Sequence, residues 1–330
     1  MDPKISVHIT GTGRAVPDRV LTNADLEKMV DTSDEWITTR SGIKRRHILE
    51  PGQMNSDFVA QACRNALAAA AVDAADIDFL LVGTITGDLI FPSTACLVQE
   101  KIGAKNAAAW DLSAACSGWL YGVKTATALL KTGMGRRALV VGSEMLSTIV
   151  DWSDRGTCVL FGDGSGAVVL EAREDQPGGV LATYARTDGG LAELLHIPKG
   201  GSRHPVTPEV LAERSNKVHM KGNEVFKHAV RNMESAAREV LAQAGLGTGD
   251  VSLLIPHQAN IRIIKAIASR LEIEMERVYV NLQEYGNTSA ASIPIALDEA
   301  RRSGRVTEGD RVLMAAFGGG LTWGAALVQF

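Results

Sequence analysis

The sequence predicts an α/β protein made of two similar halves, each built on a mostly parallel sheet. Three observations carry this. Short apolar runs suited to strands alternate with segments whose apolar residues recur at helical spacing, and that alternation implies strands layered with helices. The chain also repeats itself. Residues 67–72 leading into 76–81 return as 241–246 leading into 250–255, an offset of 174 (76 to 250). Residues 137–140 return as 311–314 at the same offset (137 to 311), and Ser113-Ala114-Ala115-Cys116 returns as Ser289-Ala290-Ala291-Ser292 at 176 (113 to 289). Finally, 330 residues of which 45% are apolar are ample for a large core. The halves divide at 172/173.

The elements follow in order. Residues 5–10 alternate like a strand and stop at Gly11-Thr12-Gly13. That pair lacks the rest of a G-x-G-x-x-G fingerprint and reads as a tight turn. Thr22-Asn23 supplies a cap for a helix over 21–30. Trp36 and Arg40 share a helix face, and both side chains can stack on a flat base. A surface helix with a half-buried tryptophan has the same spacing. An alanine-rich helix spans 55–71 and a buried strand 77–83. Pro92 suits the first turn of the next helix, which puts Cys96 in mid-helix among apolar neighbours.

Ala107-Ala108-Ala109-Trp110 reads as a strand. After it, Leu120, Val123, Ala126 and Leu130 mark a helix that ends at Gly133. Residues 137–142 are a strand. Gly162-Asp163-Gly164-Ser165-Gly166 reads as a hairpin turn that lets backbones pack closely, with Cys158 on the strand before it. A phosphate loop is the other reading of those glycines. Residues 173–220, broken by Gly and Pro, link the halves and include a surface excursion. Phe226, Ala229, Val230, Met233, Ala237, Val240, Leu241 and Ala244 then define a long amphipathic helix.

Composition excludes several classes. A net charge of −4 and a pI near 6.0 argue against a nucleic-acid binder. The four cysteines (Cys63, Cys96, Cys116, Cys158) form no CxxC pair, so neither a disulfide framework nor a zinc site is expected. The opening Met-Asp-Pro-Lys-Ile-Ser lacks a secretory pattern. No apolar run approaches a membrane span. A cytoplasmic protein is the expectation.

Candidate chemistry gathers at three strand ends. Asp111-Leu112-Ser113-Ala114-Ala115-Cys116-Ser117-Gly118 puts Cys116 on a strand-to-helix turn. A helix N-terminus there would ease loss of the thiol proton, and the small neighbours leave room for a substrate. An ordinary buried cysteine fits the same stretch. Pro256-His257-Gln258-Ala259-Asn260 ends an apolar strand, whereas the other histidines read as structural. Tyr285-Gly286-Asn287-Thr288-Ser289 precedes a helix, and Asn287 alone would pass for a cap. Sites in open α/β sheets collect at the carboxyl ends of strands, where all three residues fall. Gly318-Gly319-Gly320 lets a backbone amide reach a reacting oxygen, or simply ties off a hairpin.

Taken together, the Cys116 turn, the His257 and Asn287 motifs, the stretch from Asp154-Arg155-Gly156-Thr157 to Gly162-Asp163-Gly164 and the closing glycines resemble the β-ketoacyl-acyl-carrier-protein synthase III family of the thiolase superfamily. The resemblance spans nearly the whole chain. It implies a layered αβαβα fold of two duplicated halves, 1–172 carrying the cysteine and 173–330 the histidine and asparagine, and a homodimer. It implies that Cys116 takes an acyl group from acyl-CoA, a substrate rather than a cofactor, with no metal. His257 and Asn287 then stabilise the enolate formed as malonyl-acyl-carrier protein loses carbon dioxide, while the amides of Cys116 and Gly319 hold the oxyanion. Because His257 must be neutral, activity should fall at acid pH.

The same resemblance assigns Trp36 and Arg155 to the CoA adenine, Arg40 to a CoA phosphate, and Thr32, Gly222 and Phe226 to its channel. Phe91 would reach across the dimer to close the partner's acyl pocket, with Leu146 and Phe161 as further lining. Lys227 and Arg262 would meet the carrier protein. A thiolase would carry a second cysteine where Ala316 stands, and an elongating condensing enzyme a histidine where Asn287 stands. The remaining alternative is a related priming enzyme or acyltransferase of secondary metabolism.

Overall fold

The computed structural model describes residues 5–330; the first four residues of the opening stretch lie outside it. The chain begins β1 (Ile5–Ala15), β2 (Val20–Thr22), α1 (Asn23–Leu26), α2 (Asp34–Ser41), β3 (Arg45–His47), α3 (Asn55–Ala70), β4 (Phe79–Gly83) and α4 (Thr94–Ile102). It continues with β5 (Ala108–Leu112), α5 (Gly118–Lys131), β6 (Arg137–Met145) and β7 (Asp163–Glu174). Then come β8 (Gly179–Thr187), β9 (Leu195–His196), α6 (Pro208–Ala212), β10 (His219–Met220), α7 (Gly222–Ala244) and β11 (Leu253–Pro256). The last elements are α8 (Ile261–Arg270), α9 (Leu282–Tyr285), α10 (Ser292–Arg302), β12 (Arg311–Gly318) and β13 (Thr322–Gln329).

Two sheets repeat one topology. The first has the order β1-β7-β6-β4-β5, the second β8-β13-β12-β11. A parallel bridge from Leu254 to Val278 occupies the place that β5 takes beside β4. The central strands β4, β5 and β6 are parallel, as are β11 and β12, while β7, β1, β13 and β8 run antiparallel to their neighbours. β1 and β8 start 174 residues apart (5 to 179). The chain crosses between sheets at 175–178, a few residues past the expected division.

Helices α5 and α10 lie between the sheets. There Trp119, Leu120, Val123, Ile293 and Leu297 pack against Val140, Val168, Val312 and Met314. Helices α3 and α4 cover the outer face of the first sheet, and α7, backed by α8, covers that of the second. The result is five layers, αβαβα. Each buried leucine here contributes about 2–5 kcal/mol relative to alanine.

Several local expectations are corrected. Gly11-Thr12-Gly13 is not a turn, because β1 runs through it. A Cβ at Gly11 would lie 2.3 Å from the Ala66 carbonyl oxygen, and one at Gly13 2.4 Å from that of Ala62, so these glycines let α3 lie against the strand. Gly164 and Gly166 likewise sit inside β7. A Cβ at Gly166 would meet the Ile295 nitrogen of α10 at 2.7 Å, which preserves the close packing but removes the hairpin. Cys158 is buried in a turn rather than a strand. The helix over 21–30 shrinks to α1, whose N-cap Thr22 forms a capping box with Asp25. Ser93, not Pro92, starts α4 by accepting the Cys96 amide, and Cys96 is exposed in its first turn.

The repeat also has a different register at its most interesting point. The 3-10 turns Ala115–Ser117 and Ser289–Ala291 precede α5 and α10, and both open on a left-handed residue, Ala115 (φ 43°) and Ser289 (φ 48°). The offset there is 174 (115 to 289), so Ala290 rather than Ser292 is the counterpart of Cys116. Ser292 corresponds to Gly118. The sequence match at 176 followed residue type, whereas the backbone follows the turn.

Candidate active site

The site sits where the two turns meet the ends of β11 and β12. Cys116 lies in the 3-10 turn before α5 and is 9% exposed. A Cβ at Gly318 would stand 2.6 Å from the Cys116 nitrogen, so the last residue of β12 must be glycine for the turn to seat. Gly318→Ala should displace the turn at a cost of about 1–3 kcal/mol. The rate at which iodoacetamide alkylates Cys116 should change while the circular dichroism stays that of the parent; an unaltered rate would contradict the close fit.

The thiol is not activated as the helix-end argument suggested. α5 proper begins two residues later, at Gly118, and burial pushes the Cys116 thiol up to about 12. Desolvation of the thiolate outweighs the helix dipole. The resting group is therefore a thiol.

His257 follows the last residue of β11 directly, is 4% exposed, and is held in register by its amide, which donates to the Ala315 carbonyl at 2.8 Å. Its Nδ1 lies 2.7 Å from the Ser292 hydroxyl. Burial pulls its pKa down to about 4, so the ring is neutral at physiological pH.

Asn287 is pinned by its backbone. Its amide donates to the Leu160 carbonyl at 2.8 Å, and its carbonyl accepts from Gly162 at 3.0 Å. Its Oδ1 accepts the Ser289 amide at 2.9 Å, so Nδ2 is the end left for a substrate.

These three residues line one cavity of about 760 Å³. Its rim carries Trp36 and Arg40 of α2, Gly222, Phe226 and Lys227 of α7, and Arg262 of α8. The Arg40 guanidinium lies 4.3 Å from the Trp36 ring centroid and that of Arg155 5.3 Å, so Arg155 sits on the indole. It also donates to the Asp31 carbonyl at 2.6 Å. Arg262 stacks over Phe226 at 5.7 Å, and Lys227 pairs with Glu224 at 3.2 Å. Thr32 is not among the residues lining the cavity, and its buried Oγ1 has no hydrogen-bond partner among the described residues.

A second, apolar cavity of about 80 Å³ opens beyond Cys116, lined by Ile85, Leu146, Phe161, Leu195, Val218 and Gly319 among others. Leu146 and Phe161 both line it. Phe91 is absent from it and stands 86% exposed.

Three supports escaped the sequence reading. Ser292 holds His257. Glu144, wholly buried at the end of β6, meets Ser289. Arg46, also wholly buried, donates to the carbonyls of Leu21 and Val159 and to Asn23 Oδ1, and Asn23 in turn donates to Asp34 at the start of α2. The basic run at Lys44-Arg45-Arg46 was the one visible hint of that last support. Among the described residues no acidic, histidine and cysteine cluster suits a metal, and no helix is long and apolar enough to cross a membrane.

A duplicated αβαβα core, with a buried cysteine on one inner turn and a histidine and asparagine converging on it, defines a thiolase-fold condensing enzyme. Comparison with known proteins narrows this. The model "3-Oxoacyl-[acyl-carrier-protein (ACP)] synthase III" matches residues 110–189, and its C-terminal counterpart matches 241–330. A beta-ketoacyl-[acyl-carrier-protein] synthase III of Desulfitobacterium hafniense is 54% identical over 326 residues, covering 99% of this chain and 98% of that protein. The crystal structure of 3-oxoacyl-[acyl-carrier-protein] synthase III from Aquifex aeolicus superimposes with a TM-score of 0.91 at 50% identity, covering 98% of this chain and all of the other. The priming β-ketosynthase of the R1128 polyketide pathway superimposes equally, with a TM-score of 0.91, at 35% identity, covering 100% of this chain and 98% of the other. The chain belongs to the β-ketoacyl-acyl-carrier-protein synthase III family.

Proposed function

We propose that this chain starts fatty-acid chains by condensing a short acyl-CoA primer with malonyl-acyl-carrier protein, using Cys116, His257 and Asn287. The observation that carries this is their convergence on the floor of one cavity whose rim is aromatic and cationic. The acyl group passes from the CoA sulfur to the Cys116 sulfur, and CoA leaves with the proton that Cys116 gives up. The amides of Cys116 and Gly319 hold the oxyanion. Malonyl-carrier protein then loses carbon dioxide, with His257 and Asn287 donating to the thioester oxygen. A Ser292 hydroxyl that donates to Nδ1 leaves the His257 proton on Nε2, where this donation needs it. The carbanion attacks the acyl carbon, 3-oxoacyl-carrier protein departs, and Cys116 recovers a proton from solvent. No step needs a metal or redox cofactor.

CoA lies along the rim, with its adenine between Trp36 and Arg155, its phosphate near Arg40, and its arm past Thr32, Gly222 and Phe226. Arg155 must swing off the indole to admit the base. Lys227 and Arg262 meet the acidic carrier protein. The two duplicated halves, expected to divide at 172/173, meet at the 175–178 crossing. The enzyme works in the cytoplasm as a homodimer, in which the exposed Phe91 closes the partner's acyl pocket.

The apolar pocket beyond Cys116 is far smaller than the cavity along the rim, about 80 Å³ against about 760 Å³, and a short primer suits it. Intact-mass analysis with an acyl-CoA panel, followed by malonyl-carrier protein, tests the two half-reactions. Two- to four-carbon primers should label Cys116 fastest, and the adduct should vanish as 3-oxoacyl-carrier protein and carbon dioxide appear. Discharge only to another nucleophile would instead make the chain an acyltransferase of secondary metabolism.

A further inference from the structure

Glu144 is a carboxylate with no assigned task, wholly buried beside the nucleophile. Its two oxygens are in unlike surroundings. Oε2 accepts from Thr86 Oγ1 at 2.5 Å, the Ile85 amide at 3.1 Å and Thr84 Oγ1 at 3.4 Å. Both hydroxyls have only their own proton to offer there. Thr86 Oγ1 already receives the Met145 amide at 2.8 Å, and Thr84 Oγ1 receives the Asn55 side chain and the Thr86 amide, each at 3.2 Å. Oε2 is thus saturated with donors. Oε1 has one partner, the Ser289 hydroxyl at 3.3 Å. Ser289 and Cys116 line the same small cavity, and the Ser289 hydroxyl is the strongest influence there that favours the thiolate. It has a single proton and two acceptors that compete for it.

We propose that Glu144 is a positioning residue for the nucleophile: through the one proton of Ser289 it decides whether that hydroxyl supports the Cys116 sulfur or turns away from it. When Glu144 is ionised, Oε1 draws the Ser289 proton and a negative charge faces the forming thiolate. When it is protonated, the proton must sit on Oε1, since Oε2 is saturated, and it points at Ser289 Oγ. Ser289 then donates to Cys116, and the opposing charge is gone. Burial pushes the Glu144 carboxyl up to about 7, so both forms are present near neutral pH.

The groups facing Glu144 are consistent with this isolation. The loop after β4 presents Thr84, Ile85 and Thr86, the turn before α10 presents Ser289, and the turn before α5 presents the titratable Cys116. Asp88, on the same loop, is engaged by the Ser56 amide at 2.9 Å. His257, across the cavity floor, is neutral in this range.

The inference rests on Cys116 as the nucleophile, but its test needs no substrate. The rate of Cys116 alkylation by iodoacetamide, read by peptide mapping, is followed from pH 5 to 10 in the parent, Glu144→Gln, Ser289→Ala and the double variant. Glutamine keeps the shape: its oxygen takes the three donors and its amide donates to Ser289. Glu144→Gln should alkylate roughly five- to tenfold faster at pH 8, because the thiol titrates lower. In the Ser289→Ala background that gain should shrink to less than half. Parent-like rates in Glu144→Gln, or an equal gain without Ser289, would overturn the proposal. Should Glu144→Gln fail to fold, the parent and Ser289→Ala decide: the parent profile must carry a lower inflection that Ser289→Ala weakens, and one identical inflection in both sinks the idea. Failure of the nucleophile itself looks different, since acyl-CoA then leaves no adduct on Cys116.

Discussion

Cys116→Ala should form no acyl-enzyme with any acyl-CoA and should lose at least about 10³-fold in condensation rate, as removal of a covalent nucleophile commonly does. The case is stronger than a motif match. The residue is buried, and Cys63 and Cys158, equally buried, line neither cavity. Cys96 is exposed and can be labelled by alkylating reagents, so mass analysis must be resolved by peptide. An acyl adduct on any cysteine other than Cys116, at a rate that supports turnover, would overturn the mechanism. The variant should keep its decarboxylation machinery, since His257 and Asn287 take their positions from β11 and from Leu160 and Gly162, not from the thiol.

His257→Ala and Asn287→Ala should each cost about 10²–10³-fold in condensation, the usual loss for one donor to a developing oxyanion. Both should still accept an acyl group on Cys116, because in the proposed mechanism acylation uses the amides of Cys116 and Gly319 instead. Accumulated acyl-enzyme that malonyl-carrier protein cannot discharge is the expected signature. The pH dependence follows from burial. With the imidazole pKa near 4, the acid limb that reports His257 protonation should lie near pH 4 rather than at the ordinary histidine value of about 6.5. The same shift has a stability consequence with a definite sign. Above pH 6.5 the ring is neutral in both states. As pH falls from about 6.5 to 4, the unfolded chain gains a proton that the folded chain refuses, so the native state loses stability over that window. A melting temperature that rises on acidification through this range in the parent, but not in His257→Ala, would contradict the assignment.

Much of this site was legible because its chemistry lies in short local patterns. Cys116, His257 and Asn287 each stand at a strand end or on the turn before a helix, where neighbouring residues announce the geometry. Their supports were not legible. Glu144 finds Ser289 across 145 residues, and Ser292 finds His257 across 35, through contacts that only the folded sheets create. Gly11, Gly13 and Gly166 were read as turns because a glycine that admits a neighbouring helix looks, in sequence, like one that bends the chain. The thiol was expected to be acidic because a helix start is visible in sequence and desolvation is not. The Ser-Ala-Ala repeat was read two residues out of register, since residue types had drifted while the left-handed backbone at Ala115 and Ser289 had not.

The seating of the two inner turns has an evolutionary reading. The Cys116 turn rests on Gly318, at the end of the second sheet's β12, and the matching turn of the second half rests on the first sheet, where a Cβ at Gly142 would clash with the Ala290 carbonyl. Each half therefore supplies the socket for the other's elbow. A mutation that disturbs one socket is felt in the opposite half, so neither half can seat its own turn without the other. Cut between Glu174 and Gly179, the pieces should be inert alone and recover activity only when they are made together.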